Sequence, residues 1–153
     1  MASPPPPDHW DHALHRLLSD AVAQLAAGSA SVTQAWSEQA GMWFVEVRPT
    51  RADAAPISAA FDGDDLLSIT LADTWFEMFP VSDAGLARFG RIVAAVLAGR
   101  MVQAGRGGCC FARIDTADGP VRVGAVHAPI PWSLRRHRRF AAYWPVPDVG
   151  NRR

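Results

Sequence analysis

The sequence predicts an α+β fold, with an antiparallel sheet of about five to six strands packed on two helices, in the order α-β-β-β-(β)-α-β-β. An arginine-rich C-terminal segment follows. Three observations carry this. Two stretches repeat apolar residues at helical spacing, several short apolar runs cluster between Gly, Pro and Asp turn signals, and few helical stretches separate one strand run from the next.

Each element has a local cause. Residues 1–8 include Pro4-Pro5-Pro6-Pro7, which reads as a flexible, extended lead-in. Asp8 is placed to cap a helix over residues 9–27, in which Trp10, Leu14, Leu17, Leu18, Ala21, Val22 and Leu25 share a side and Gly28 supplies the stop. Residues 29–41 are small and polar apart from Trp36, and read as a connection. Residues 42–48 read as a strand, with Pro49 and Pro56 bracketing a loop. Residues 57–61 and 66–72 read as a hairpin around Asp62-Gly63-Asp64-Asp65, and residues 74–79 as a strand ended by Pro80. Ser82 or Asp83 caps a second helix whose stripe runs from Leu86 to Met101, with Gly105 as its stop. Residues 109–115 and 121–127 form a second hairpin around Asp118-Gly119. Residues 132–143 read as a short helix and 146–153 as an irregular tail, so that 9–145 make a single domain. The same element order is found in small dimeric secretion chaperones, a similarity of order that no motif accompanies.

Composition narrows the function classes. The chain has 153 residues, 49% apolar and 20% charged, which supports a folded core. No apolar run is long enough to cross a membrane as a helix, and no secretory signal is expected at the N-terminus. The only cysteines, Cys109 and Cys110, are adjacent and cannot staple distant segments, so a reducing, cytoplasmic setting is expected. Basic and acidic residues balance at 15 each, and every basic residue is Arg. Lysine chemistry of the Schiff-base or P-loop kind is therefore excluded. The balance is uneven along the chain: residues 135–153 hold six Arg and one acid, and residues 1–134 nine Arg and fourteen acids.

Alternation along the strands separates two faces. One set (Trp43, Val45, Val47, Leu67, Ile69, Leu71, Phe76, Met78, Cys110, Ala112, Ile114, Val121, Val123 and Ala125) is apolar and belongs against the helices. The other mixes aromatic and charged residues, and Phe44, Glu46, Trp75, Glu77, Phe111, Arg113 and Arg122 are its candidate binding residues. Trp132, Phe140, Tyr143 and Trp144 are available to cover that face instead. Arg135, Arg136, Arg138 and Arg139, flanked by aromatics, are the candidate anion-binding or partner-binding segment.

Other patterns fall short of chemistry. Glu46 and Glu77 are candidate paired carboxylates, and His127 a candidate general base, but no nucleophile motif accompanies them. His9, His12 and His15 spread around the first helix, and no metal site or cofactor is expected. Residues 99–108 are rich in glycine but lack a phosphate-loop Lys-Ser/Thr pair, and residues 62–65 lack a calcium-loop frame. The reading is a protein-interaction module, possible as a homodimer, of adaptor, secretion-chaperone or immunity type. Its alternatives are a small enzyme on the same sheet face and a nucleic-acid or anion binder through the arginines.

Overall fold

The computed structural model describes residues 3–63, 65–105, 110–124 and 137–143. The fold is α+β, with two helices, α1 (His9–Ala23) and α2 (Asp83–Leu97), and two antiparallel sheets. The first sheet has five strands in the order β1 (Ala30–Ser37), β2 (Met42–Pro49), β3 (Ile57–Asp62), β4 (Leu66–Leu71) and β5 (Thr74–Met78). In the second sheet, β8 (Gly119–Gly124), β7 (Phe111–Thr116), β6 (Met101–Ala104) and β9 (His137–Arg139) lie in that order. The single sheet expected from the sequence is thus divided, because β5 and β8 lie side by side without a ladder between them. No described helix is long and apolar enough to cross a membrane.

The helix starts follow from their caps. Asp8 accepts from the Asp11 N–H while the Asp11 carboxylate accepts from the Asp8 N–H, both at 2.9 Å, a reciprocal capping box. Ser82 caps α2 by accepting from the Gly85 N–H. Leu14 and Leu18 of α1, and Phe89, Ile92, Val93 and Val96 of α2, bury the apolar stripes. They meet the inner rows of the first sheet, Val45-Ala59-Ile69-Phe76 and Val47-Ile57-Leu71-Thr74. Ala112 and Ile114 of the second sheet join the same core. Full burial of each aliphatic side chain stabilises the fold by about 1.5–3 kcal/mol.

The helix ends differ from expectation. α1 stops at Ala23, one turn before Gly28. α2 stops at Leu97, and Gly99 rather than Gly105 ends it. Gly99 has φ +73°, its N–H donates to the Val96 carbonyl, and the Arg100 N–H donates to the Ala95 carbonyl, which makes a Schellman motif. Met101, expected on the helix stripe, is the first residue of β6 and is buried there.

Two further strands fall where none was expected. β1 occupies the polar connection after α1. Its Ser31, Thr33 and Ala35 face solvent while Val32, Gln34 and Trp36 are half-buried, so only alternate residues carry an apolar signal. β9 falls within the short helix expected over residues 132–143, of which 132–136 lie outside the described residues. Its residues pair antiparallel with β6, and extension lets Phe140 and Tyr143 reach the core. The Tyr143 hydroxyl donates to the Ala55 carbonyl and its N–H to the Leu97 carbonyl at 3.0 Å. Burial pushes that hydroxyl well above the ordinary phenol range, so it stays a proton donor. The lead-in is also tied down, since the Trp43 indole donates to the Pro5 carbonyl at 3.0 Å.

Two outcomes follow. A Cβ at Gly99 would sit 2.5 Å from the Ala142 nitrogen and would force a left-handed φ on alanine. Gly99→Ala is therefore expected to cost about 2–4 kcal/mol, combining left-handed strain with overpacking, as read by urea denaturation. Burial, with the Asp8 charge adding to it, pushes the Asp11 carboxyl above the ordinary carboxylate range, although the Asp8 N–H that donates to the Asp11 carboxylate and the His12 charge oppose the shift. A raised folded pKa stabilises the fold below the unfolded value, and that contribution disappears as pH rises through the folded value. Asp11→Asn keeps the capping acceptor without the charge. Its stability relative to wild type should be highest near neutral pH and should fall as pH drops toward the ordinary carboxylate value, in melts taken across that range.

Candidate functional site

The two sheets meet at the start of β5. Gln103 of β6 is buried, and its carboxamide oxygen accepts from the Asp73 N–H at 3.1 Å and from the buried Thr74 hydroxyl at 3.0 Å. Its amide nitrogen donates to the Asp73 carboxylate at 3.3 Å. Beside this contact Gly124 ends β8 with φ +104°, and a Cβ there would meet the Thr74 methyl at 2.9 Å and the Cys110 carbonyl at 2.6 Å. Thr74 is thus held between β6 and β8.

From that corner, β5 and β8 border a groove of about 440 Å³. Trp75, Phe76, Glu77 and Met78 line it on the β5 side, and Arg122, Val123 and Gly124 on the β8 side. Arg88 and Ile92 of α2 complete it. Trp75 and Glu77 come from the outward set of β5, and Arg122 from that of β8, so the groove joins the outward faces of both sheets.

On the first sheet the outward residues form two rows. Thr33, Glu46, Ser58, Thr70 and Trp75 lie opposite one another in turn, and so do Ala35, Phe44, Ala60, Ser68 and Glu77. Trp75 is 50% exposed, and its indole donates diagonally to the Ser68 hydroxyl at 2.8 Å. Phe79, just past β5, is 71% exposed. Glu46 holds Arg48 at 2.7 Å, an exposed pair worth less than about 1 kcal/mol. Phe140 and Tyr143 lie in the core and not on this face.

The registers of the second sheet align charges that are far apart in sequence. Arg122 is opposite Arg113, Arg113 opposite Val102, and Val102 opposite Arg139. All three arginines are exposed. Arg113 also holds Asp115, its neighbour two residues on, at 3.1 Å. Arg139 of the C-terminal segment therefore joins the sheet-face arginines in one row. Arg138, one residue away, lies with its guanidinium 4.6 Å from the Phe140 ring centroid.

Several expected site residues fall elsewhere. Phe111 is 8% exposed, because its cross-strand neighbours Ala104 and Gly124 are too small to hold the ring up into solvent. Glu46 and Glu77 sit on β2 and β5, three ladder spacings across and two residues along, roughly 16 Å apart, and do not form a carboxylate pair. Arg135, Arg136, His127, Trp132, Trp144 and Cys109 lie outside the described residues, while Cys110 is buried. Among the described residues no three His, Cys, Asp or Glu side chains converge as metal ligands. The sequence reading passed over Arg88, whose only local signal is its place four residues before Ile92 on the same side of α2. No protein-family model, curated protein or solved structure matches this chain.

Replacing Gln103 by Leu would leave the Thr74 hydroxyl and the Asp73 N–H without their acceptor, at about 1–3 kcal/mol for the buried hydroxyl. In urea denaturation Gln103→Leu should lose stability, and adding Thr74→Val should recover part of the loss by removing the orphaned hydroxyl. Strict additivity of the two changes would show that the contact carries no coupling.

Proposed function

We propose that this chain is a protein-binding module that grips an acidic partner through the arginine row of the second sheet and anchors it on Trp75 across the groove. The observation that carries this reading is the alignment of Arg122, Arg113 and Arg139 in one exposed row. Arg113 already holds Asp115 at 3.1 Å, and the positive potential of the row as a whole favours and steers a partner of complementary charge. Trp75 supplies the aromatic anchor beside it, and Phe79 extends the apolar surface. Phe44, Glu46 and Glu77 flank the anchor on the first sheet, while Arg138, opposite Gln103, belongs to the other face of β9. An adaptor, a secretion-type chaperone or an immunity protein would fit this reading.

The test is affinity purification of the intact chain from its host's lysate, with nuclease present, beside Arg113→Glu/Arg139→Glu and Trp75→Ala. The expected result is one protein that the wild type retains and that salt releases. Each variant should weaken its affinity by about tenfold or more while leaving the melting curve near wild type. Undiminished retention by the charge-reversed chain overturns the reading. Retention seen in a parallel purification without nuclease and absent with it reassigns the row to nucleic acid.

A further inference from the structure

Among the described residues, the first sheet ends in an edge that carries none of the usual protection. β1 pairs with β2 along its whole length, from Ala30 opposite Pro49 to Ser37 opposite Met42, without a bulge. No described strand pairs with its other side. At one end the Thr50 N–H donates to the Ser29 carbonyl at 2.9 Å, and at the other the Gly41 N–H donates to the Ser37 carbonyl at 2.8 Å. Hydrogen-bonded positions alternate along an antiparallel ladder, so the odd-numbered residues of β1 turn their backbone groups toward β2. The N–H and C=O groups of Ala30, Val32, Gln34 and Trp36 therefore point away from the sheet.

Natural sheets blunt such edges with charge, proline, bulges or brevity. The other edges of this fold follow that rule. β9 is three residues long and carries Arg138 and Arg139, β8 carries Pro120 and Arg122, and β5 carries Glu77 where it faces the groove. β1 has eight residues and no charge, proline or glycine.

We infer that β1 is the interface between two copies of this chain, which pair antiparallel, edge to edge, about a dyad at Thr33. That register follows from the outward groups. With Thr33 on the dyad, Val32 faces the partner's Gln34 and Ala30 faces the partner's Trp36, so every outward-pointing residue meets an outward-pointing residue. With the dyad at Gln34, Ala30 would be left over. A neutral strand meets its own copy without like-charge repulsion, as a strand bearing Arg or Glu would not. Like faces also coincide, so both helical layers lie on one side and the Thr33 rows continue across the other. The inference stands apart from the partner-binding reading, since it uses the far edge of the first sheet and neither the groove nor the arginine row.

Sedimentation velocity on the intact chain, from low to high micromolar concentration, tests it. The wild type should sediment as a dimer. Thr33→Lys and Thr33→Glu should each sediment as monomers, because two like charges would then face each other on the dyad. Their equimolar mixture should restore a dimer, with apparent affinity at least about tenfold above either variant alone. Gln34→Pro removes one outward N–H without touching the β2 ladder and should also give a monomer, and melting curves report whether each variant folds. A monomeric wild type over this range overturns the inference, and so does a dimer that persists in folded Thr33→Lys alone. Failure of the Lys and Glu variants to restore a dimer when mixed overturns the Thr33 dyad.

Discussion

The arrangement of this fold depends on one buried carboxamide. Gln103 belongs to β6, but its hydrogen bonds go to Asp73 and Thr74 at the turn into β5. A polar side chain in an apolar interior is costly unless its partners are fixed, so the contact ties the second sheet to one corner of the first. Gly124 brings β8 to the same corner, where a side chain would collide with Thr74. β5 and β8 then lie side by side without a ladder, and the groove between them sets Trp75 and Glu77 opposite Arg122.

The separation of faces gives the surface its character. Inward rows from both sheets share one core with α1 and α2, closed at the C-terminal end by Phe140 and Tyr143. Because those rings are spent on the core, the outward rows of the first sheet keep an exposed Trp75, with Phe79 beyond them. On the second sheet the ladders collect arginines from three separate strands in a chain whose formal charge is zero. Net charge therefore says little about this surface, because screening limits what a partner feels to charges within about 1 nm and not the sum over the chain.

Most elements were legible in the sequence. Asp8 and Ser82 mark both helix starts, and the turns at Asp62 to Asp65 and Asp118-Gly119 mark both expected hairpins. The failures have physical causes. β1 looks like a connection because an edge strand buries only alternate residues, and here those are mostly half-buried. The end of α2 offered several glycines, and only the bonds from Gly99 and Arg100 back to Val96 and Ala95 single one out. The stretch that becomes β9 has the spacing of a helix, yet the unpaired edge of β6 and the need to bury Phe140 and Tyr143 favour extension.

By itself, then, the sequence determined the α+β class, the helix starts, most of the inward set of apolar residues and the outward character of Trp75, Glu77, Arg113 and Arg122. These follow from local rules, capping chemistry and the periods of helix and strand, which act within a few residues. The tertiary structure alone decided that the strands form two sheets, that Phe111 is buried, that Glu46 and Glu77 stand apart, and that Arg113, Arg122 and Arg139 share a row. Those outcomes rest on strand register and on one buried side chain's choice of partners. Both join residues distant in the chain, and no local pattern encodes them.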